Sequence, residues 1–183
     1  MFNSIYPYLK TALSFTANLS TTGALYQTSK RAEQEVSKYV INENASLILE
    51  YGAGHGNITK SILAKMGEHD RLFALEVNAE FCDVLNKIDD KRLTIINDAA
   101  QNIDHYVAEK VDCIISTIPI SLIPNPIVSE ILAKSYQLLK TDGAMSQILY
   151  STYHLSKFKK LFSEVSYRTL LGLPIEFVYH CKK

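Results

Sequence analysis

Leu47-Ile48-Leu49-Glu50-Tyr51-Gly52-Ala53-Gly54-His55-Gly56-Asn57 is the stretch on which the fold turns. It opens with an apolar run ending in one acid, which reads as a buried strand over 46–50. Three glycines at alternate positions follow, and an amphipathic pattern then predicts a helix over 57–66. A glycine-rich turn between strand and helix lets backbone approach a ligand where side chains would clash. The spacing is GxGxG. Asn57 stands where the dinucleotide pattern GxGxxG needs its third glycine, so that pattern is not met.

Outward from this unit, apolar runs predict further strands over 71–76, 93–97, 111–117, 143–149, 165–171 and 175–181. The first five of the seven strands are near-continuously apolar, as expected of strands covered on both faces of a parallel sheet. Helices are expected between them over 79–86 and 126–139, with a short turn after Asp98. Only Gly172-Leu173-Pro174 separates the last two strands. Three residues cannot form a parallel crossover, so that pair must be antiparallel. Ahead of the first strand, Phe2, Ile5, Tyr6, Leu9 and Leu13 share one helical face, and a second helix is expected from Thr28 or Ser29 with Ala32, Val36 and Tyr39 turned inward. The expected fold is α/β: a Rossmann-like, mostly parallel seven-stranded sheet with an antiparallel C-terminal hairpin. Residues 1–183 are read as one domain, with a helical cap over 1–45 and the core over 46–183.

Ligands of open α/β sheets bind beyond the carboxyl ends of the strands. Three acids fall at such ends. Glu50 closes the first strand, Glu76 closes the second 20 residues after Gly56, and Asp98 follows the third. A carboxylate at Glu76 can accept from two ribose hydroxyls, and Asp98 can meet an adenine amino group.

Lys plus Arg total 19 and Asp plus Glu total 19, so the chain lacks the basic excess usual in nucleic-acid binders. Charge is uneven: residues 154–183 carry six Lys or Arg against two acids, a face suited to solvent or to an anionic neighbour. Cys82, Cys113 and Cys181 show no paired spacing, which suggests a reduced, cytoplasmic setting. No Ser-His-Asp set or metal-ligand spacing is present, so hydrolytic and metal chemistry have no support in the sequence.

These features resemble the class I S-adenosylmethionine-dependent methyltransferases, and more narrowly the bacterial phospholipid N-methyltransferases. The likeness spans nearly the whole chain. Asn18-Leu19-Ser20-Thr21-Thr22-Gly23-Ala24-Leu25 followed by Thr28-Ser29-Lys30 is similar to that family's opening segment. The turn ending at Gly56 is similar to its first cofactor motif. Ser116-Thr117-Ile118-Pro119-Ile120 stands in place of its Ser-Gly-Leu-Pro-apolar stretch, and Gln147-Ile148-Leu149-Tyr150 resembles its Gln-x-x-Tyr. Leu173-Pro174 takes the place of a Pro-Pro pair, while Thr117, Gly172 and Ile175-Glu176 depart from the pattern.

The resemblance implies S-adenosylmethionine as cofactor. Its expected contacts are Glu50, Gly52, Gly54, Gly56, Glu76, Val77, Asp98, Ala99 and Ser116. Tyr26, Thr117, Pro119 and Tyr150 are the expected catalytic set. The related rRNA adenine dimethylases carry Asn-x-Pro-aromatic after the fourth strand, to hold and stack a base. Thr117 and Ile120 replace both groups, so nucleic acid ranks below an aliphatic amine as substrate. The expected substrate is therefore the amino head group of an aminolipid. A soluble small amine, rRNA adenine and cofactor binding without catalysis are the alternatives. The first helix either contacts the inner membrane face peripherally through Phe2, Ile5, Leu9 and Leu13 or caps the cofactor site.

Overall fold

The computed structural model describes residues 28–40 and 46–183. The first predicted helix, the 18–25 segment and Tyr26 lie outside them.

Thr28 leads into α1 (Lys30–Val36), and Ser29 caps the helix by accepting from the Ala32 amide at 3.2 Å. The inward residues are Ala32 and Val36, both fully buried, with Tyr39 half-buried. The chain then alternates strand and helix: β1 (Leu47–Tyr51), α2 (Asn57–Leu63), β2 (Arg71–Leu75), α3 (Ala79–Leu85) and β3 (Leu93–Ile96). A 3-10 helix over Ala100–His105 leads to β4 (Val111–Ser116), a second over Ile120–Leu122 to α4 (Asn125–Leu138), and then come β5 (Leu139–Leu149), α5 (Leu155–Leu161), β6 (Glu164–Leu170) and β7 (Glu176–Lys182).

The seven strands form one sheet in the order β3-β2-β1-β4-β5-β7-β6. β3, β2, β1, β4 and β5 are mutually parallel, while β7 is antiparallel to both β5 and β6. This is the mostly parallel sheet with an antiparallel hairpin that the sequence predicts. The hairpin is not simply appended: β7, the last strand, inserts between β5 and β6, so the edge falls to β6.

Two apolar layers sandwich the sheet. On one face Leu49, Tyr51, Ile114, Met145 and Tyr179 pack with Ile103, α4 and Phe158 of α5. On the other, Ile48, Ile115, Ile148 and Val178 pack with Ala32 and Val36 of α1 and Ile58 and Ile62 of α2. β1, covered on both faces, has five buried residues in a row. β3 does not fit the expectation of a doubly covered strand. It is an edge strand, with Thr94 exposed and Leu93 and Ile95 half-buried.

β5 also begins earlier than expected. Leu139 already pairs with Val111, and the register then shifts so that Cys113 faces Ala144. Lys140, Thr141 and Asp142 bulge out to solvent. The bulge needs glycine at 143, where a Cβ would lie 3.1 Å from the Asp112 carbonyl oxygen. No helix among the described residues is long and apolar enough to cross a membrane.

Candidate functional site

The turn after β1 is fixed by backbone bonds to the end of β2. The amides of Gly52 and Ala53 both donate to the Leu75 carbonyl, at 2.8 and 3.2 Å. All three glycines have positive φ: Gly52 78°, Gly54 54° and Gly56 81°. Their surroundings differ. A Cβ on Gly56 would sit 2.9 Å from Leu85 Cδ2, so this glycine serves packing against α3. A Cβ on Gly52 would lie 3.3 Å from Thr117 Oγ1. A Cβ on Gly54 would meet nothing within 4 Å, so open space lies against the backbone at the centre of the turn.

Glu76, at the end of β2, braces that turn. Its Oε2 accepts from the Gly54 amide at 2.8 Å and its Oε1 from the Asn78 amide at 2.9 Å. Each oxygen has a second lone pair, so both can accept further donors. Val77 follows, half-buried, and Asn97 Nδ2 donates to the Glu76 carbonyl at 2.8 Å.

Glu50 is fully buried below the turn. Thr59 donates to its Oε2 at 2.7 Å, while Oε1 has no hydrogen-bond partner. Burial pushes its carboxyl up to about 7; the Thr59 hydrogen bond opposes the rise and the nearby Glu76 charge adds to it. A buried acceptor without a partner beside an open turn is the kind of group a polar or cationic ligand satisfies.

Asp98 stands at the end of β3. Its Oδ1 accepts from the Ala99 amide at 2.7 Å and Asn102 Nδ2 at 2.8 Å, and its Oδ2 from Tyr106 OH at 2.8 Å. Burial alone would raise this carboxyl, but the three hydrogen bonds outweigh it and hold the group below its usual range. Asp98 is thus a fixed anion, with Ala99 buried beside it.

Across the turn from Glu76 lies the loop after β4. The Thr117 amide donates to the Tyr51 carbonyl at 3.0 Å, and Thr117 Oγ1 donates to the Gly52 carbonyl at 2.7 Å. The Thr117 hydroxyl proton is thereby committed to the glycine turn. Ser116 pairs in register with Gln147 of β5. The Ser116 hydroxyl and Gln147 Oε1 are both buried without a partner, while Gln147 Nε2 donates to the Ile118 carbonyl at 3.1 Å. Pro119 is half-buried, Ile120 is 1 % exposed, and Tyr150 follows β5 at the rim.

The candidate residues therefore converge from β1, β2, β3, β4 and β5 at one end of the sheet. The sequence reading did not single out Thr59, Asn102, Tyr106 or, as a contact of the loop, Gln147. The one available signal was a polar residue within an apolar strand, which Gln147 in β5 is.

A family model described as a methyltransferase domain matches residues 48–143, more than half of the chain. The chain belongs to the methyltransferase-domain family. It is a class I, S-adenosylmethionine-dependent methyltransferase. The residues suit that cofactor: an open glycine turn, acceptors at three strand ends and a buried carboxyl with one oxygen lacking a partner.

This methyltransferase is 26 % identical over 148 residues to the ornithine lipid N-methyltransferase of Singulisphaera acidiphila, covering 76 % of the chain and 77 % of that relative. It is 25 % identical to ribosomal RNA small subunit methyltransferase A of Mycoplasma pneumoniae over 74 % of the chain, but spans only 47 % of that protein. Among solved structures, a Streptococcus mutans protein put forward as a methyltransferase, in complex with SAH, superposes with a TM-score of 0.65. That likeness covers 86 % of this chain and 99 % of the other at 18 % identity, and speaks to the fold.

Proposed function

We propose that this methyltransferase transfers a methyl group to the amino head group of an aminolipid. The observation that carries the reading is the loop after β4. A base-reading site needs a free amide at 117 and an exposed ring at 120. Here the Thr117 hydroxyl is bonded to Gly52, and the Ile120 side chain is in the core. Position 117 offers no amide and position 120 no exposed ring, so the base-holding pair is missing. The ornithine lipid relative, which the chain matches over most of both lengths, supports the same reading.

In this reading Glu76 takes the ribose hydroxyls on its remaining lone pairs, and Asp98 with Ala99 and Val77 meets the adenine. Gly52 and Gly54 admit the cofactor against bare backbone, Gly56 keeps the turn in shape, and Ser116 and Glu50 face it from below. When bound, the cofactor would supply an activated methyl on a sulfonium for transfer to the amine nitrogen. Thr117, Pro119, Tyr26 and Tyr150 orient the amine. An aliphatic amine has a pKa of roughly 10 and must lose a proton before its lone pair can attack. Holding the neutral amine in line is the main contribution expected of these residues.

The test is incubation with methyl-labelled cofactor and, in separate reactions, total membrane lipid, soluble polyamines and ribosomal RNA. Label in a lipid whose unmethylated precursor is ninhydrin-reactive is the expected result. Label in RNA adenine with none in lipid overturns the reading, and label only in soluble amines moves the substrate out of the membrane.

A further inference from the structure

The β6–β7 connection exposes apolar side chains that a folded chain ordinarily buries. Leu171 is 81 % exposed, Leu173 105 % and Ile175 45 %. Its position in the fold is specific. Leu149, the last residue of β5, pairs with Phe177 near the start of β7, and Leu170 at the end of β6 pairs with Glu176. The tip therefore stands at the end of the sheet where β1, β4 and β5 finish, the end that carries the glycine turn. Tyr153, 76 % exposed after β5, stands at the same end.

The charged groups beside the tip differ in exposure: the cations stand out in solvent and the carboxylates are largely buried. The Ser29 amide donates to Glu176 Oε1 at 3.0 Å and the Ser29 hydroxyl to Glu176 Oε2. This fixes the start of α1 against the tip and brings the exposed Lys30 and Arg31 to it. The carboxylates nearest to them are turned in and engaged: Glu176 with Ser29, Glu33 with Lys30 at 2.9 Å, and Glu35 with Arg168 and His180 at 2.7 and 2.9 Å. Apolar side chains flanked by cations, with the acids withdrawn, complement the surface of an anionic bilayer.

We propose that the 171–175 tip, with Lys30 and Arg31 beside it, is a membrane-docking surface that seats the rim of the methyl-transfer site on anionic phospholipid. The tip is five residues long, whereas a stable protein interface engages roughly 20–30 residues a side, so a second copy of the chain is a poorer occupant. A narrow apolar tip needs no shape complement in lipid. The proposal rests on the aminolipid reading and deepens it: a head group in the bilayer meets the site at the end of the sheet that the membrane touches.

The chain has no tryptophan, so one introduced at the tip reports that position alone. Leu173→Trp should shift its emission to the blue and be quenched by brominated lipid on vesicles of equal phosphatidylglycerol and phosphatidylcholine. Val84→Trp, on α3 at the other edge, should not respond. Leu171→Ser/Leu173→Ser should lower vesicle partition at least about tenfold, from the apolar surface removed, with cofactor affinity unchanged. Arg31→Glu should lower it on anionic vesicles only. A silent Leu173→Trp on vesicle-bound protein, or undiminished partition of the double variant, overturns the proposal, as does a wild-type chain that ignores vesicles. Concentration-dependent association of the chain that the double variant abolishes would place a second copy on the tip instead. Lipid methylated in detergent with a silent tip leaves the aminolipid reading standing without this surface. A responsive tip with no lipid methylated does the reverse.

Discussion

The two ends of the sheet order solve opposite problems. Around β1 and β2, polar groups are gathered inward and nearly all are engaged: Glu76 by two backbone amides, Glu50 by Thr59, Asp98 by three donors. On β7 His180 also turns inward, bonded to Ser146 and Glu35, but the polar residues of β6 and the leucines of the tip turn out. A site for a polar ligand must be rigid before the ligand arrives, because loose donors and acceptors lose free energy on ordering. A surface that meets a fluid layer has no such requirement. The first region is therefore specified by hydrogen bonds of fixed length, the second by exposure alone.

The sharpest way to break this contrast is at Gly54. Its positive φ is strained for any L side chain, at about 1–2 kcal/mol, and the space a side chain would take is the open space against the turn. Gly54→Val is expected to leave a folded chain with no measurable cofactor binding by calorimetry. Gly56→Ala should do the converse, losing thermal stability against Leu85 and Ile88. Normal affinity in folded Gly54→Val protein would remove the turn from the site.

Glu50 offers a test through pH. Its carboxyl is raised by burial from 4.5 to about 7, so folding favours the protonated form. The stability this group contributes is intact below pH 4.5 and is lost as pH rises through about 7, a total of about 3 kcal/mol at most. In Glu50→Gln that pH-dependent loss should vanish, although the new amide adds a constant cost where Oε1 now lacks a partner. Urea titrations at pH 4.5 and 8 measure both terms, and parallel pH dependence in the two proteins would refute the assignment. A cationic cofactor near Glu50 should also release a proton on binding near pH 7, read as a dependence of binding heat on buffer ionisation enthalpy.

The smallest effect is expected at Glu76. Glu76→Ala should weaken cofactor binding by about 1.5–3 kcal/mol, the range for hydrogen bonds to a charged group. Both carboxylate oxygens accept backbone amides, so a glutamine must point its NH2 at one of them. Glu76→Gln should therefore recover only part of the loss. Wild-type affinity in both variants would show that Glu76 braces the turn without touching the ligand.

Much of the cofactor end was legible in the sequence because its information is local. Glycines at 52, 54 and 56 state a backbone conformation, and acids at 50, 76 and 98 state where strands end. The antiparallel hairpin was legible because three residues cannot carry a parallel crossover. What was not legible depends on residues far apart in the chain meeting. Thr117 reaching the Gly52 carbonyl, Gln147 reaching Ile118 and Thr59 lying under Glu50 leave no periodic trace. The β5 bulge was hidden because Leu139 and Gly143 look like a helix end and a strand start until Val111 pairs with the first of them. The insertion of β7 beside β5 was hidden too, since hairpin chemistry fixes the direction of a strand pair but not which strand takes the edge.

The clasp between α1 and β7 sets an order of events in folding. Ser29 meets Glu176 across 147 residues of sequence, and Glu35 meets His180 across 145. Closing so long a loop early in folding would cost entropy before any compensating contact exists. β1, β2 and β4 pair across much shorter separations. α1 precedes every strand of the sheet in sequence, yet Ser29 and Glu35 find their partners on β7, the seventh strand. Its packing on α2 can form early, whereas the clasp to β7 closes only after the parallel strands have paired.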